Sequence, residues 1–411
     1  MTLSLEGARA ADAADPLRGF RDRFVLPPEV IYLDGNSLGP LPKAARVRLA
    51  EVTEQEWGAG VIRSWNDADW IGAPARIGDK IGRLIGASIG EVIVADSTSV
   101  NLFKLIVAAH AARPDRRVVL TETGNFPTDL YIAGGAASCS PGARVHAVAP
   151  PDIEAAIDAD TAVVVLTHVH YKTAQRRDMA SLTAAAHAAG ALILWDLSHS
   201  AGAVPLDLTT CDADLAVGCG YKFLNGGPGA PAFLFVAKRL QAELVSPLTG
   251  WMGHAAPFDF TDVWRPADGV GRFLTGTPPI LGLAALEVGV DLALEADAHA
   301  LANKSDALWR LFADLMETRL ADAGFRLITP REAALRGSHI SYAHPHGHQI
   351  MQALIARGVI GDFRDPDVMR FGLTPLYLGF EDVWRAVDIL AEIMASGAWK
   401  STPARVPGRV T

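Results

Sequence analysis

The chain has 411 residues, half of them hydrophobic and 20% charged, with a formal net charge of −9. That length allows a large core and two domains, or one large domain with an appendage, and the composition is globular rather than disordered. The negative balance argues against a nucleic-acid surface; three irregularly spaced cysteines, Cys139, Cys211 and Cys219, exclude a disulfide framework or a zinc site and suit a reducing cytoplasm; and no apolar run is long enough to span a membrane.

In chain order, residues 1–16 carry Glu6, Asp12 and Asp15 and lack the apolar stretch of a signal peptide. Residues 38–57 read as a helix with Pro42 near its start, within an N-terminal segment (1–60) expected to pack on the domains. Seven apolar runs follow, at 92–95, 117–121, 145–148, 162–167, 191–195, 215–218 and 232–236. Helical patterns at 100–112, 128–134, 152–159 and 179–189 lie between them. Strands alternating with helices imply a mostly parallel sheet covered on both faces, here a large α/β domain over 61–295. A smaller α+β domain is expected over 296–400, with helical spacing at 308–316 and 383–394 around a strand, helix and strand at 338–342, 347–357 and 368–372. Residues 401–411 read as a frayed tail.

Ligands of parallel sheets sit beyond the carboxyl ends of the strands, so the residues there are the candidates. Asp196 ends the run Leu192-Ile193-Leu194-Trp195, and His199 lies three residues on. Lys222 follows Tyr221 and precedes the glycine-rich Asn225-Gly226-Gly227. An Asp and a Lys at neighbouring strand ends are what pyridoxal phosphate (PLP) requires: the amine forms a Schiff base with the aldehyde, and the carboxylate keeps the pyridine nitrogen protonated. Taken singly, Lys222 reads as a surface lysine, Asp196 as a helix N-cap, His199 as a core histidine and, further along, Arg370 as a strand-edge surface arginine. Asp96-Ser97-Thr98-Ser99 joins a strand to a helix, either as an anion cradle or as an ordinary N-cap. Phe126-Pro127-Thr128-Asp129 offers an aromatic that can stack on a planar ring or pack under a helix start. His168-Val169-His170 and His344-Pro345-His346-Gly347-His348 raise a metal-dependent hydrolase as a reading from another class, although no acidic cluster completes either set.

With these residues placed, the chain resembles kynureninase, a family of PLP enzymes of fold type I in the class V aminotransferase-like group. The resemblance rests on Leu33-Asp34-Gly35-Asn36-Ser37-Leu38-Gly39, Phe126 to Asp129, Asp196-Leu197-Ser198-His199, Tyr221-Lys222-Phe223-Leu224-Asn225, Gly250-Trp251-Met252-Gly253-His254 and Thr277-Pro278-Pro279-Ile280. It implies hydrolysis of L-kynurenine to anthranilate and L-alanine, or of 3-hydroxykynurenine to 3-hydroxyanthranilate, in tryptophan degradation, a cytoplasmic homodimer with active sites at the subunit interface, and no nucleic acid or membrane partner. It assigns Thr98, Ser99 and Tyr221 to the phosphate and Phe126 to the ring. Pro127, Thr128, Asp129, Thr167, Asp196 and His199 fall in the cofactor's surroundings, Trp251 and Thr277 reach the phosphate from the partner subunit, and Arg370, with Asn36 and Ser37, binds substrate. Lys222, Tyr221 and Asp196 are the catalytic set. Two departures bear on substrate choice: Thr277 stands where some members carry Asn, and no His aligns within Arg63-Ser64-Trp65-Asn66. An aminotransferase or a cysteine desulfurase-like lyase of the same group is the nearest alternative, but the latter needs a nucleophilic Cys in the C-terminal part, and none follows Cys219.

Overall fold

The structure, a computed structural model, describes residues 3–401. All but the first residue of the expected 401–411 tail lie outside the described residues. The seven apolar runs form one sheet: β1 (Val92–Val94), β2 (Val118–Glu122), β3 (Arg144–Val148), β4 (Thr161–Thr167), β5 (Leu192–Asp196), β6 (Leu215–Gly218) and β7 (Phe233–Val236). Their spatial order is β1-β7-β6-β5-β4-β2-β3. Pairing is parallel from β6 through β3, and β7 is antiparallel to both its neighbours.

Side-chain alternation divides each central strand between two cores. Val164, Leu166, Ile193 and Trp195 enter one, with Ile77, Ile81 and Ile85 of α1 (Ala73–Ile85). Val163, Val165, Leu192 and Leu194 enter the other, with Leu102 and Leu105 of α2 (Thr98–Ala111) and Ala133 and Ala136 of α3 (Pro127–Ser138). Two buried faces explain why these strands read as unbroken apolar runs. α4 (Met179–Ala188) leads into β5. α5 (Ile280–Glu295) packs Leu283, Leu286 and Val290 into the first core.

Contacts divide the described chain into two units. The unit above spans residues 45–170 and 177–294. The other comprises residues 3–44, Tyr171–Arg176 and 295–401, so the N-terminal segment divides at Ala44/Ala45, not at residue 60. This second unit holds α6 (Ala298–Arg319), α7 (Gly347–Ala356), α8 (Phe380–Ser396) and the strands β8 (Arg326–Leu327), β9 (His339–Ala343), β10 (Asp362–Arg364) and β11 (Val368–Gly372), in the order β8-β9-β11-β10. The helix expected over 38–57 begins only at Lys43. Leu41–Pro42 instead pairs with Phe24–Val25 as a short strand. Pro40 and Pro42 push Gly39 and Leu41 toward extended backbone, and from Val52 to Gly60 the helix loosens to a π form.

Helix α5 presents Gly289 to the loop after β6: a Cβ there would lie 2.0 Å from the Leu224 carbonyl oxygen. Backbone cannot yield as a side chain would. Gly289→Ala is therefore expected to destabilise this unit by about 1–3 kcal/mol, seen as a lower urea midpoint, and an unchanged midpoint would contradict the contact.

Candidate active site

The face to which β5 turns its even-numbered residues decides which groups meet. Leu192 and Leu194 point into the α2–α3 core, so Asp196 emerges on that side. Val163 and Val165 likewise bring Thr167 to it. On α3, Asp129 lies one turn before Ala133 and faces the same way. Asp129 and Asp196 share a hydrogen bond, and Thr167 Oγ1 donates to Asn125 Oδ1 at 2.5 Å and contacts Asp129 Oδ2 at 3.3 Å. Asp196 Oδ1 accepts from the Ser198 backbone N–H at 2.7 Å. Both carboxylates are buried.

Burial pushes Asp129 well above the carboxylate range, and the neighbouring Asp196 charge adds to the effect. Asp196 also moves up through burial, opposed by its Ser198 hydrogen bonds and by Lys222. The shared proton therefore rests on Asp129, which donates it to an ionised Asp196. Lys222 lies in the half-buried loop beyond β6, with Nζ 3.4 Å from His199 Nε2 and 5.7 Å from the Tyr221 ring centre. Burial raises the Tyr221 phenol and the Asp196 charge adds to the effect, so it keeps its proton. Asn225 holds the loop in a left-handed turn (φ 53°), its N–H donating to the Lys222 carbonyl at 3.0 Å.

Thr98 and Ser99 form the first turn of α2, where backbone N–H groups lack helical partners, and Ser97 Oγ caps the helix by accepting from Val100 N. Phe126 precedes α3 and is 40% exposed, available to a ring; Pro127 is exposed and Thr128 half-buried in the first turn. These residues fit PLP: a buried carboxylate pair for the pyridine nitrogen, an amine beside it, an exposed aromatic, and a helix N-terminus bearing hydroxyls. Trp251 (39% exposed) and the exposed Thr277 lie on a separate stretch of the same unit, where Gly250 packs so tightly that a Cβ would sit 2.1 Å from the Thr275 carbonyl oxygen.

The candidate substrate residues belong to the other unit. Arg370 and Asp362 are cross-strand partners on β11 and β10. Arg370 Nε donates to Asp362 Oδ1 at 2.6 Å, Nη2 donates to Asp362 Oδ2 and to Ser37 Oγ, and Nη1 donates to the Tyr171 carbonyl at 2.6 Å. Arg370 is thus a buried, anchored guanidinium, not a strand-edge surface residue. Arg364 Nη2 reaches Asp362 Oδ2 at 2.8 Å. Burial pushes Asp362 up, but Arg370 and Arg364 outweigh it and hold the carboxyl low. Ser37 Oγ donates to Asp362 at 2.7 Å, and Asn36 is fully buried.

Sequence reasoning missed Asn125, Asp362 and Arg364, which lie in no motif that names them. The histidines weighed as metal ligands have other contacts: His168 Nδ1 meets Ser200 Oγ, His170 Nε2 meets the Gly124 carbonyl, and His346 stacks on Trp399. Among the described residues no group of three or more His, Cys, Asp or Glu could hold a metal ion.

Comparison with solved structures defines the class first. A cysteine desulfurase from Thermococcus onnurineus NA1 superposes with a TM-score of 0.78 over 92% of this chain and 98% of that one, at 18% identity. A C-DES variant with glycine covalently linked to its PLP cofactor gives 0.75 over 90% and 99%, at 17% identity. The fold is that of the type I, class V PLP enzymes. Within that class, residues 301–390 match the model for the kynureninase C-terminal domain, and a kynureninase from Burkholderia pseudomallei is 50% identical over 412 residues, 99% of each chain. The chain belongs to the kynureninase family.

One titration follows from the Arg370 cluster. Burial and the Asp362 charge raise Asp34 from 3.8 to about 7, against the lowering influence of Ser37, Arg370 and Arg364. Between those values the folded chain holds a proton that the unfolded chain releases, so this contribution to stability falls as pH rises from about 4 through 7. Asp34→Asn stays neutral and should flatten that fall, read from denaturation midpoints at about pH 4.5 and about pH 8. An unchanged pH slope would remove Asp34 as its source.

Proposed function

We propose that this protein is a PLP-dependent hydrolase that converts L-kynurenine and water to anthranilate and L-alanine. The observation that carries the reading is half-identity with a kynureninase along the whole chain, in a molecule whose Asp129–Asp196 pair, Lys222 and Tyr221 lie at adjacent strand ends of one sheet. Bound PLP supplies an electron sink for bonds broken at and near the substrate α-carbon.

Asp196, ionised because Asp129 carries the shared proton, holds a proton on the pyridine nitrogen. Lys222 Nζ would anchor the cofactor and, as a free amine, would take the proton from the substrate α-carbon. Thr98, Ser99 and Tyr221 hold the phosphate, and Phe126 lies against the ring. Arg370, its orientation fixed by Asp362, binds the α-carboxylate through donors that a planar guanidinium presents as a fork. Tyr221, kept protonated by burial, delivers a proton to the β-carbon after the β–γ bond breaks. Cys219, buried and with its thiol pushed up by burial, has none of the thiolate character that desulfurase chemistry requires.

The active form is a homodimer. Supporting this, Trp251, Phe258 and Phe260 stack edge-to-face, and Phe258, Phe260 and Val263 expose 60%, 77% and 71% of their surfaces. Free cysteines at 139, 211 and 219 accord with a reducing cytoplasm.

Assay of L-kynurenine cleavage by anthranilate fluorescence tests the reading. Lys222→Ala should abolish turnover. Tyr221→Phe should slow it by about 10²- to 10⁴-fold, the usual worth of a positioned proton donor, while PLP absorbance persists. Undiminished turnover in Tyr221→Phe would remove Tyr221 as the donor, and inert wild-type protein loaded with PLP would overturn the assignment.

A further inference from the structure

A lysine outside every motif lies behind the phosphate turn. Lys104 is on α2, and its side chain is 0% exposed. Helical side chains lean toward the helix N-terminus, and Lys104 reaches back past Thr98 to the Asp96 carboxylate. The same Nζ donates to the Phe273 carbonyl at 2.6 Å. Burial lowers the lysine's pKa, and Asp96 opposes that shift.

Asp96 adopts a left-handed backbone (φ 46°) between the end of β1 and the N-cap Ser97. Its carbonyl accepts from Ala232 N at 2.9 Å, and Asn101 Nδ2 holds the preceding Ala95 carbonyl at 2.8 Å. Phe273 ends a short 3₁₀ turn, Gly269–Phe273, and two residues on the Thr275 carbonyl accepts from Met252 N. One buried ammonium thus ties the turn carrying Thr98 and Ser99 to the segment leading to Thr277. A buried ion pair adds little net stability compared with apolar packing, so stability alone is a weak reason for a lysine here.

We infer that Lys104 is a positioning residue for phosphate-ester recognition: through Asp96 and the Phe273 carbonyl it fixes the 96–99 turn so that the N–H and hydroxyl groups of Thr98 and Ser99 converge on the PLP phosphate. The inference rests on the PLP reading above. Lys104 itself is not a phosphate ligand.

The test is binding rather than turnover. PLP and pyridoxal, which lacks the phosphate, are titrated into apo-protein and followed by tryptophan fluorescence, with circular dichroism as the control for folding. Lys104→Met removes the charge at similar length, and its loss should weaken PLP binding by about 10- to 100-fold, the scale of a charge-assisted hydrogen bond, with pyridoxal affinity unchanged. Lys104→Arg should recover part of the loss. If Lys104→Met does not fold, Asp96→Gly, which accepts the left-handed backbone freely, should give the same selective loss. Equal weakening of both ligands marks a general structural role and overturns the inference, as does no change in either. Wild-type protein that binds pyridoxal but gains nothing from the phosphate also overturns it. Wild-type protein that binds neither overturns the PLP reading first, and this inference with it.

Discussion

Two carboxylates buried against one another are the constraint around which the larger unit is organised. Separately, Asp129 and Asp196 would each demand a proton, since burial penalises a charge with no partner. Together they can share one, and the direction of sharing matters. Asp196 also receives the Ser198 backbone N–H and feels Lys222, so it is the acid better able to carry the charge. Among the described residues no backbone donor of that kind reaches Asp129, and it is the member that stays neutral. Its Oδ2 still reaches Thr167, so it is held in place while protonated. A neutral acid beside an ionised one positions the anion without doubling the charge that must be buried.

The smaller unit answers a similar problem with the opposite sign. Arg370 is as buried as the acids, but it never loses its charge. Its cost is met by Asp362, placed directly opposite it in register, and by neutral acceptors from Ser37 and Tyr171. Arg364 contributes a second cation. With Asp34 holding a proton below about 7, the two guanidinium groups face one ionised carboxylate, Asp362. The cluster then carries one excess positive charge, which suits an anionic substrate group. In both units burial decides which acid stays neutral, and that neutral acid determines the sign of the charge left over.

Much of this was legible in the sequence, and the boundary follows the physics. Six of the seven sheet strands could be read because both faces are buried, making each an apolar run bounded by turns or helical patterns, whereas the edge strand β3 has no buried residue and shows only through Val145, Ala147 and Val148. Asp196 and Lys222 could be read because they end such runs. Helices α1 and α5 were missed: Pro74, Gly78 and Gly82 obscure α1, and α5 is apolar on too many sides to show a clear period. Asp362 and Arg364 were invisible because their importance arises from strand register, which no local spacing encodes. Arg370 looked like an edge residue for the same reason. The segment before Lys43 carries a helical pattern, but Pro40 and Pro42 hold the residues preceding them extended, so it pairs as a short strand instead.

The Asp196–Lys222 pair explains a cofactor better than a reaction. Any enzyme that uses a protonated pyridine ring as an electron sink needs such a pair. A hydrolase that breaks a carbon–carbon bond also needs an acid that is still protonated at the moment a carbanion forms, close to the base that started the sequence. Tyr221 meets both conditions. It adjoins Lys222 in the chain, its ring centre is 5.7 Å from Nζ, and burial with nearby negative charge keeps its phenol protonated through the neutral range. Burial first, and then the charge that Asp196 carries, therefore hold Tyr221 protonated. A phenol that keeps its proton and a fixed anion thus lie within a few residues of two strand ends, and what separates their states is how each is buried and paired rather than which residue types are present.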